Sequence, residues 1–217
     1  MKDFDRLIEI VDILRSEKGC AWDRSRTLED LRGYLLEETY ELVDALQEKK
    51  QEQVKEELGD VFLLLVFIIK MFKEDNLFSV EEVLQAINAK LISRHPHVFA
   101  GKKVKNKDEI VAKWVKAKAR EKKRKNLSQR LPKSAPALLL ASLFYKELRY
   151  LGRDDCVFEV REKIRKSAAD LDGSGRDGPV LLELILECAC LASLSGIDLE
   201  NDLRQELHSR AKALNYK

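Results

Sequence analysis

Four acidic side chains in the first third of the chain have the spacing of a metal site. Glu38 and Glu41 are three residues apart, and Glu57 and Asp60 repeat that spacing. Residues three or four apart share one face of a helix, so each pair presents two carboxylates to the same side. Glu41 and Glu57 lie eight residues before and after Lys49, and Glu38 and Asp60 lie eleven residues before and after it. An antiparallel helical hairpin that turns at this lysine therefore brings all four together.

Such a cluster of carboxylates predicts a site for a hard divalent cation. Like charges held together are costly unless they are protonated, paired or bound to cations. Ligands that are all oxygen suit Mg²⁺, with Mn²⁺ as a substitute, better than Zn²⁺. The alternative is a solvated acidic face, which is what most acidic pairs on helices are. Both pairs adjoin apolar residues and lie symmetrically about a polar turn, which favours the Mg²⁺ site.

The composition predicts that helices position this cluster. The chain has 217 residues, of which 45% are hydrophobic and 36% charged, with only nine Gly and four Pro. So few turn residues exclude a β-sandwich or barrel and indicate an all-α globular protein. The apolar run over 61–69 is too short to span a membrane, and the acidic N-terminus lacks a signal core. We therefore expect a cytoplasmic protein without a membrane partner, whose four cysteines are reduced thiols.

Apolar spacing and capping residues predict the helix boundaries. A first helix covers 4–14, and the hairpin helices run from a cap at Thr27 to about Gln47 and from Glu56 through Lys73, joined by the polar stretch 48–53. Ser79 and Glu82 form a capping box for a fourth helix, which ends before Pro96. Further helices are predicted over 137–150, 157–171, 180–194 and 199–214.

The net charge of +2 hides an uneven distribution of charge along the chain. Residues 101–133 contain fourteen Lys and Arg against three acidic residues, a net +11, so the remainder carries −9. The cations are densest over 116–125, which is typical of a basic linker or of a nucleic-acid-binding segment. Only Trp114 is near enough in sequence to stack on a base, so we consider a nucleic-acid partner unlikely.

Three sequence blocks together resemble the MazG family of nucleoside triphosphate pyrophosphohydrolases. They are Tyr34-Leu35-Leu36-Glu37-Glu38-x-x-Glu41, then Glu57-Leu58-Gly59-Asp60, then Arg94-His95-Pro96-His97-Val98-Phe99. Upstream, Cys20-Ala21-Trp22-Asp23 with Thr27 resembles the family's C-P-W-D-x-x-Q-T-H segment. Ala21, Arg26 and Leu28 depart from that pattern, Arg26 standing where the pattern has Gln. The resemblance covers residues 5–120.

The resemblance implies an all-α fold of the helical-hairpin, four-helix-bundle type, in which each helical unit dimerises or forms a higher homo-oligomer. It implies hydrolysis of nucleoside triphosphates to nucleoside monophosphate and pyrophosphate with Mg²⁺, as house-cleaning of the nucleotide pool. It also implies that Glu38, Glu41, Glu57 and Asp60 ligate the metal. Glu37 then supports these ligands, or orients or deprotonates the attacking water.

Cationic and aromatic residues are the candidates for holding the substrate. Lys90 and Arg94 are four residues apart, as are Trp114 and Lys118, and both pairs resemble phosphate and nucleotide contacts of the family. Trp22 has two interpretations, stacking on a base or packing its loop onto the core.

The domain organisation predicted from the resemblance is two tandem helical domains. Residues 1–125 form the catalytic domain with its basic segment, and residues 126–217 form a degenerate second copy. A constant offset of 116 residues aligns Val83, Ile87, Leu91, Ser93 and Arg94 with Leu199, Leu203, Leu207, Ser209 and Arg210. The second half has no counterpart of Glu57-Leu58-Gly59-Asp60, which predicts a structural or regulatory role.

Two alternatives remain open from the sequence. One is a narrower pyrophosphohydrolase for dUTP, dCTP or phosphoribosyl-ATP, because such enzymes share the carboxylate hairpin. The other is a non-enzymatic nucleic-acid-binding helical module built on residues 116–125.

Overall fold

The computed structural model describes residues 2–121, 126–153, 156–171 and 177–214. These residues form eleven α-helices and one 3₁₀ helix, and they contain no strand, so the all-α prediction is confirmed. The elements are α1 Lys2–Leu14, α2 Ala21–Ser25, α3 Leu28–Glu48, α4 Gln51–Glu74, α5 Val80–Arg94, α6 Pro96–Phe99, α7 Lys107–Glu121, the 3₁₀ helix Ser128–Arg130, α8 Ala137–Tyr150, α9 Val157–Ala169, α10 Gly178–Ser195 and α11 Leu199–Leu214.

The chain divides into two compact units, Met1–Lys103 and Val104–Lys217. The first unit holds α1 to α6 and the second holds α7 to α11. Most of the basic segment 101–133 therefore groups with the second unit. Residues 122–125, which are part of its densest run of cations, lie outside the described residues.

The hairpin of α3 and α4 is the central feature of the first unit, and its connection is shorter than predicted. Only Lys49 and Lys50 lie between the helices, so α4 begins at Gln51, five residues before the predicted start. Gln, Glu and Lys are good helix formers, which lets the polar stretch continue as helix. Lys49 takes a left-handed conformation with φ 57°, and the Lys50 N–H donates to the Ala45 carbonyl at 3.3 Å.

Capping boxes fix where two helices of this unit begin. The Thr27 hydroxyl accepts from the Asp30 N–H at 3.2 Å, while the Thr27 N–H donates to the Asp30 carboxylate at 2.8 Å. Ser79 and Glu82 make the same reciprocal pair at the start of α5. Both predicted caps are confirmed. They satisfy helix N–H groups that would otherwise lack partners.

The core of the first unit holds α1 against the hairpin. Val11, Leu31, Val66 and Phe67 form its buried cluster, at most 5% exposed. Burial of each such side chain stabilises the fold by roughly 1.5–3 kcal/mol. Because Leu31 is on α3 and Phe67 is on α4, this cluster also fixes how the two hairpin helices face each other.

Arg15 joins three elements at the end of α1. Its guanidinium donates to both oxygens of Glu74, at 2.9 Å from Nε to Oε1 and 2.7 Å from Nη2 to Oε2. A third donor, Nη1, reaches the Asp23 carbonyl at 2.8 Å, and Cζ lies 5.2 Å above the Phe67 ring. The Arg15 hydrogen bond lowers the pKa of Glu74 below its ordinary value. Arg15 therefore fixes the short helix α2 relative to the hairpin.

The second unit is organised around the apolar helix α10, which packs against α8, α9 and α11. Its predicted elements are confirmed with small shifts, since α9 ends at Ala169 rather than 171 and α10 begins at Gly178. In the described part of the chain, α10 is the one helix long and apolar enough to cross a membrane. That is weak support for a span, because the core helix of a soluble domain has the same length and composition.

Candidate active site

Three carboxylates of the hairpin meet as the register about Lys49 predicts. One oxygen from each of Glu38, Glu41 and Glu57 can be chosen so that all three lie within 4.8 Å of one another. Glu38 and Glu41 stand on successive turns of α3, and Glu57 faces them from α4. The two-residue turn and the core cluster that contains both Leu31 and Phe67 hold this register.

The cluster holds three acidic groups with no ion pair to a described side chain. No Lys or Arg whose side chain the structure describes lies within 4 Å of these three carboxylates. Desolvation raises the pKa of Glu38, and the charges of Glu41, Asp60, Glu57 and Glu37 raise it further. Desolvation also raises the pKa of Glu57, with added repulsion from Glu41, Glu56 and Asp60. All-oxygen donors with unpaired charge fit a hard divalent cation.

Asp60 and Glu37 lie at the edge of this cluster. Asp60 is half-buried and is outside the group of three, yet it lines the same cavity as Glu38 and raises the pKa of that residue. Glu37 is exposed beside Glu38, and its charge also raises the pKa of Glu38. The five predicted acidic residues therefore share one neighbourhood, with three of them in direct proximity.

A cavity of about 670 Å³, counting its open mouth, adjoins the acidic cluster. Glu38 and Asp60 form part of its polar lining. Its remaining lining is mostly apolar and aromatic and comes from α2, α3, α4 and the connection between α2 and α3. These residues are Trp22, Asp23, Arg26, Leu31, Tyr34, Leu63, Leu64 and Phe67. A concave apolar site beside a few charged groups has the size and character of a small-molecule pocket.

Trp22 both packs on the core and lines the cavity, so its two predicted roles are compatible. Its ring stacks against Tyr34 with centroids 6.4 Å apart, and it remains 56% exposed. The Arg26 guanidinium lies 4.5 Å from the centroid of the same indole. Trp22 sits on the short helix α2, which Arg15 holds through the Asp23 carbonyl.

Two of the other predicted substrate contacts, Lys90 and Arg94, lie outside this cavity. Lys90 is exposed and Arg94 half-buried, one turn apart on α5, and neither lines the cavity. Trp114 is half-buried on α7, which belongs to the second unit. Lys118 is on the same helix, but its side chain lies outside the described residues. A role for these four in binding substrate stays a prediction.

Sequence reasoning missed three residues that shape the site. Tyr34 lies four residues before Glu38, so helical spacing alone could have placed it on the same face. In the sequence Arg26 stands out only as a departure from a motif, although it covers Trp22 in the structure. Arg15 gave no signal in the sequence, because its partner Glu74 is 59 residues away.

Comparisons with known proteins agree with this geometry. Residues 26–99, which include every acidic residue of the cluster, match the model of the MazG nucleotide pyrophosphohydrolase domain. The nucleoside triphosphate pyrophosphohydrolase/pyrophosphatase MazG of Thermotoga maritima is 36% identical over 93% of this chain and 80% of its own length.

Two further relatives are similar over a smaller share of their own length. The nucleoside triphosphate pyrophosphohydrolase of Escherichia coli K12 is 37% identical over 71% of this chain, and that of Mycobacterium tuberculosis is 31% identical over 85% of it. This chain spans 60% and 58% of those two proteins. The acidic hairpin, the matched domain and the near full-length similarity to the Thermotoga protein lead to one conclusion: the chain belongs to the MazG nucleotide pyrophosphohydrolase family.

Proposed function

We propose that the chain hydrolyses nucleoside triphosphates to nucleoside monophosphates and pyrophosphate with Mg²⁺. The observation that carries the proposal is the meeting of Glu38, Glu41 and Glu57 within 4.8 Å beside a cavity lined by Trp22 and Tyr34. The names of the relatives support the reaction, since three of them are called nucleoside triphosphate pyrophosphohydrolases. We place the activity in the cytoplasm, as house-cleaning of the nucleotide pool.

We assign the residues of the cluster different roles in this reaction. Glu38, Glu41 and Glu57, with Asp60 beside them, would hold the cation. When bound, Mg²⁺ neutralises triphosphate charge and acidifies a water molecule. Glu37, exposed next to Glu38, would accept a proton from the attacking water. The water oxygen forms the new bond to phosphorus as the bond to the leaving group breaks, so the products are a monophosphate and pyrophosphate.

Measuring pyrophosphate release from a panel of nucleoside triphosphates tests the activity. We expect release that depends on Mg²⁺, is partly retained with Mn²⁺ and is lost in EDTA. Turnover confined to dUTP, dCTP or phosphoribosyl-ATP would establish the narrower enzyme. Steeply salt-dependent binding to DNA with no release would instead establish the nucleic-acid-binding alternative.

Stabilisation by Mg²⁺ should depend on pH in a defined direction. The pKa values of Glu38 and Glu57 are raised above 4.5, so in the metal-free protein their contribution to stability is present below 4.5. That contribution is lost as pH rises through the raised values. Mg²⁺ binds the ionised carboxylates, so it should raise Tm more at pH 8 than at pH 5. At 100 times its Kd the cation stabilises by about 2.7 kcal/mol.

Thermal unfolding with Mg²⁺ and with EDTA at several pH values checks this expectation. The variant Glu38→Gln lacks one ionisable ligand. In this variant the Mg²⁺-induced rise in Tm at pH 8 should be smaller than in the wild type. An equal rise at pH 5 and pH 8 would contradict a carboxylate site.

We further propose that the first unit forms a homodimer through the outer face of the hairpin. Apolar side chains there are 42–53% exposed in the single chain, namely Leu36, Tyr40, Leu58, Phe62 and Leu65. The two residues on α3 are four apart, and the three on α4 are spaced by four and then three residues. Each set therefore forms an apolar stripe along one face of its helix. Exposed large apolar side chains grouped in this way are typical of protein interfaces.

Phe62→Glu should convert the dimer to a monomer, because it places a charge in the middle of the apolar stripe. Phe62 is 50% exposed, so the fold of the single chain should survive. Light scattering after size-exclusion chromatography measures the mass. Leu77→Glu is the matched control, since Leu77 is 62% exposed but lies beyond α4. A wild-type protein that is monomeric at all concentrations would refute the proposal.

A further inference from the structure

The position and contacts of Arg26 bear on which base the proposed enzyme accepts. Arg26 lines the cavity with Glu38 and Asp60, and its side chain is 22% exposed. Arg26 occupies the position at which the family's C-P-W-D-x-x-Q-T-H segment has Gln, so it distinguishes this chain from that pattern.

The guanidinium of Arg26 is held in one orientation. It lies over the Trp22 ring at 4.5 Å, and its Nε donates to the Trp22 carbonyl at 3.3 Å. Its Nη2 donates to the Ser25 hydroxyl at 2.9 Å, and Nη1 is 4.0 Å from the Asp30 carboxylate. A guanidinium has five N–H donors, and two of those of Arg26 donate to described residues in these hydrogen bonds. The other three N–H donors make no hydrogen bond to a described residue, although Nη1 lies within ion-pair range of Asp30. Arg26 also lines the cavity, so these donors are the candidates for contact with a ligand there.

The cavity walls favour a base over a phosphate as that ligand. Leu31, Leu63, Leu64 and Phe67 make the lining largely apolar, and Trp22 and Tyr34 add aromatic faces. An apolar wall disfavours a polyanion, because charged oxygens would lose their hydration there. A base loses little on such a wall and gains contact with the rings. The triphosphate would then lie toward the acidic cluster, whose residues would hold the cation.

We propose that Arg26 makes the cavity selective for purine nucleotides with a carbonyl at position 6. This inference rests on the proposed function. Arginine donates two parallel hydrogen bonds to the O6 and N7 acceptors of such a purine. Adenine presents an amino group in place of O6, so a donor would face the donors of Arg26. Glutamine, by contrast, pairs with the N6 and N7 edge of adenine.

Inosine and adenosine triphosphates test this selectivity, because they differ at position 6. For the wild type we expect kcat/KM to favour the inosine nucleotide by about 5- to 100-fold. Arg26→Gln should bring the ratio to one or reverse it. The matched control is Arg24→Gln, which changes an exposed arginine on α2, two residues before Arg26. Arg24 donates to the Glu17 carbonyl and does not line the cavity, so the wild-type ratio should persist.

The outcomes separate this inference from the proposed function. A wild-type ratio near one overturns the selectivity even if hydrolysis is fast. An equal loss for both nucleotides in Arg26→Gln overturns it too, and assigns Arg26 to phosphate or to the fold. If no nucleotide is hydrolysed, calorimetric binding of the two nucleotides with Mg²⁺ gives the same ratio without turnover. Equal affinities, or no binding of either nucleotide, would then overturn the inference.

Discussion

Glu41→Gln should reduce pyrophosphate release about 100-fold or more while leaving the fold intact. Changes in residues that only support metal ligands already cost about 10- to 100-fold, so loss of a direct ligand should cost at least as much. The amide keeps the volume of the side chain but removes its charge. Glu41 raises the pKa of both Glu38 and Glu57, so its neutralisation relieves repulsion in the metal-free protein.

The combination of lost turnover and undiminished Tm in EDTA distinguishes this variant from a destabilised one. Glu56→Gln is the matched control. Glu56 is exposed and adjoins Glu57 in sequence, but it is not part of the group within 4.8 Å. Its neutralisation removes an equal charge and should leave turnover close to that of the wild type. Full activity in Glu41→Gln would refute the assigned site.

Phe67→Ala should lower the free energy of unfolding of the first unit by about 3–5 kcal/mol, the usual cost of removing a buried phenylalanine ring. Phe67 is 5% exposed, belongs to the core cluster and lies under the Arg15 guanidinium. The variant therefore loses packing between α1 and the hairpin and one wall of the cavity.

Urea unfolding in a Trp114→Phe background measures this loss, because Trp22 then reports on the first unit alone. Phe99→Ala is the control, since Phe99 is 59% exposed and should cost far less. A loss below 1 kcal/mol for Phe67→Ala would mean that the core tolerates the cavity, which close packing does not predict.

The elements that the sequence predicted well are those controlled by local spacing. Helical periodicity and the caps at Thr27 and Ser79 needed only near neighbours in the chain. The meeting of Glu41 with Glu57 followed from equal distances to a polar turn, provided that the two helices pair directly.

The features that escaped prediction depend on contacts distant in sequence or on backbone conformation. The contact of Arg15 with Glu74 crosses 59 residues, and nothing in either local pattern requires it. The early start of α4 depended on Lys49 adopting φ 57°, a conformation that a non-glycine residue seldom takes. In the second unit, Glu187 is 7% exposed, and its Oε2 has no hydrogen-bond partner among the described residues. The burial of Glu187 depends on how other helices pack around α10. The local sequence of α10 therefore could not predict it.

The two-residue turn has a consequence for how this protein can change in length. Each residue inserted into α4 before Glu57 rotates the rest of that helix by about 100° relative to its start. If the core cluster that contains Leu31 and Phe67 holds the later part of α4 in place, extra residues at Lys49 and Lys50 only enlarge an exposed loop. An insertion between Glu57 and Phe67 would instead turn Glu57 away from Glu38 and Glu41. The chemistry is therefore insensitive to the length of the loop and sensitive to the length of the helix, and we expect natural length variation to be confined to the turn.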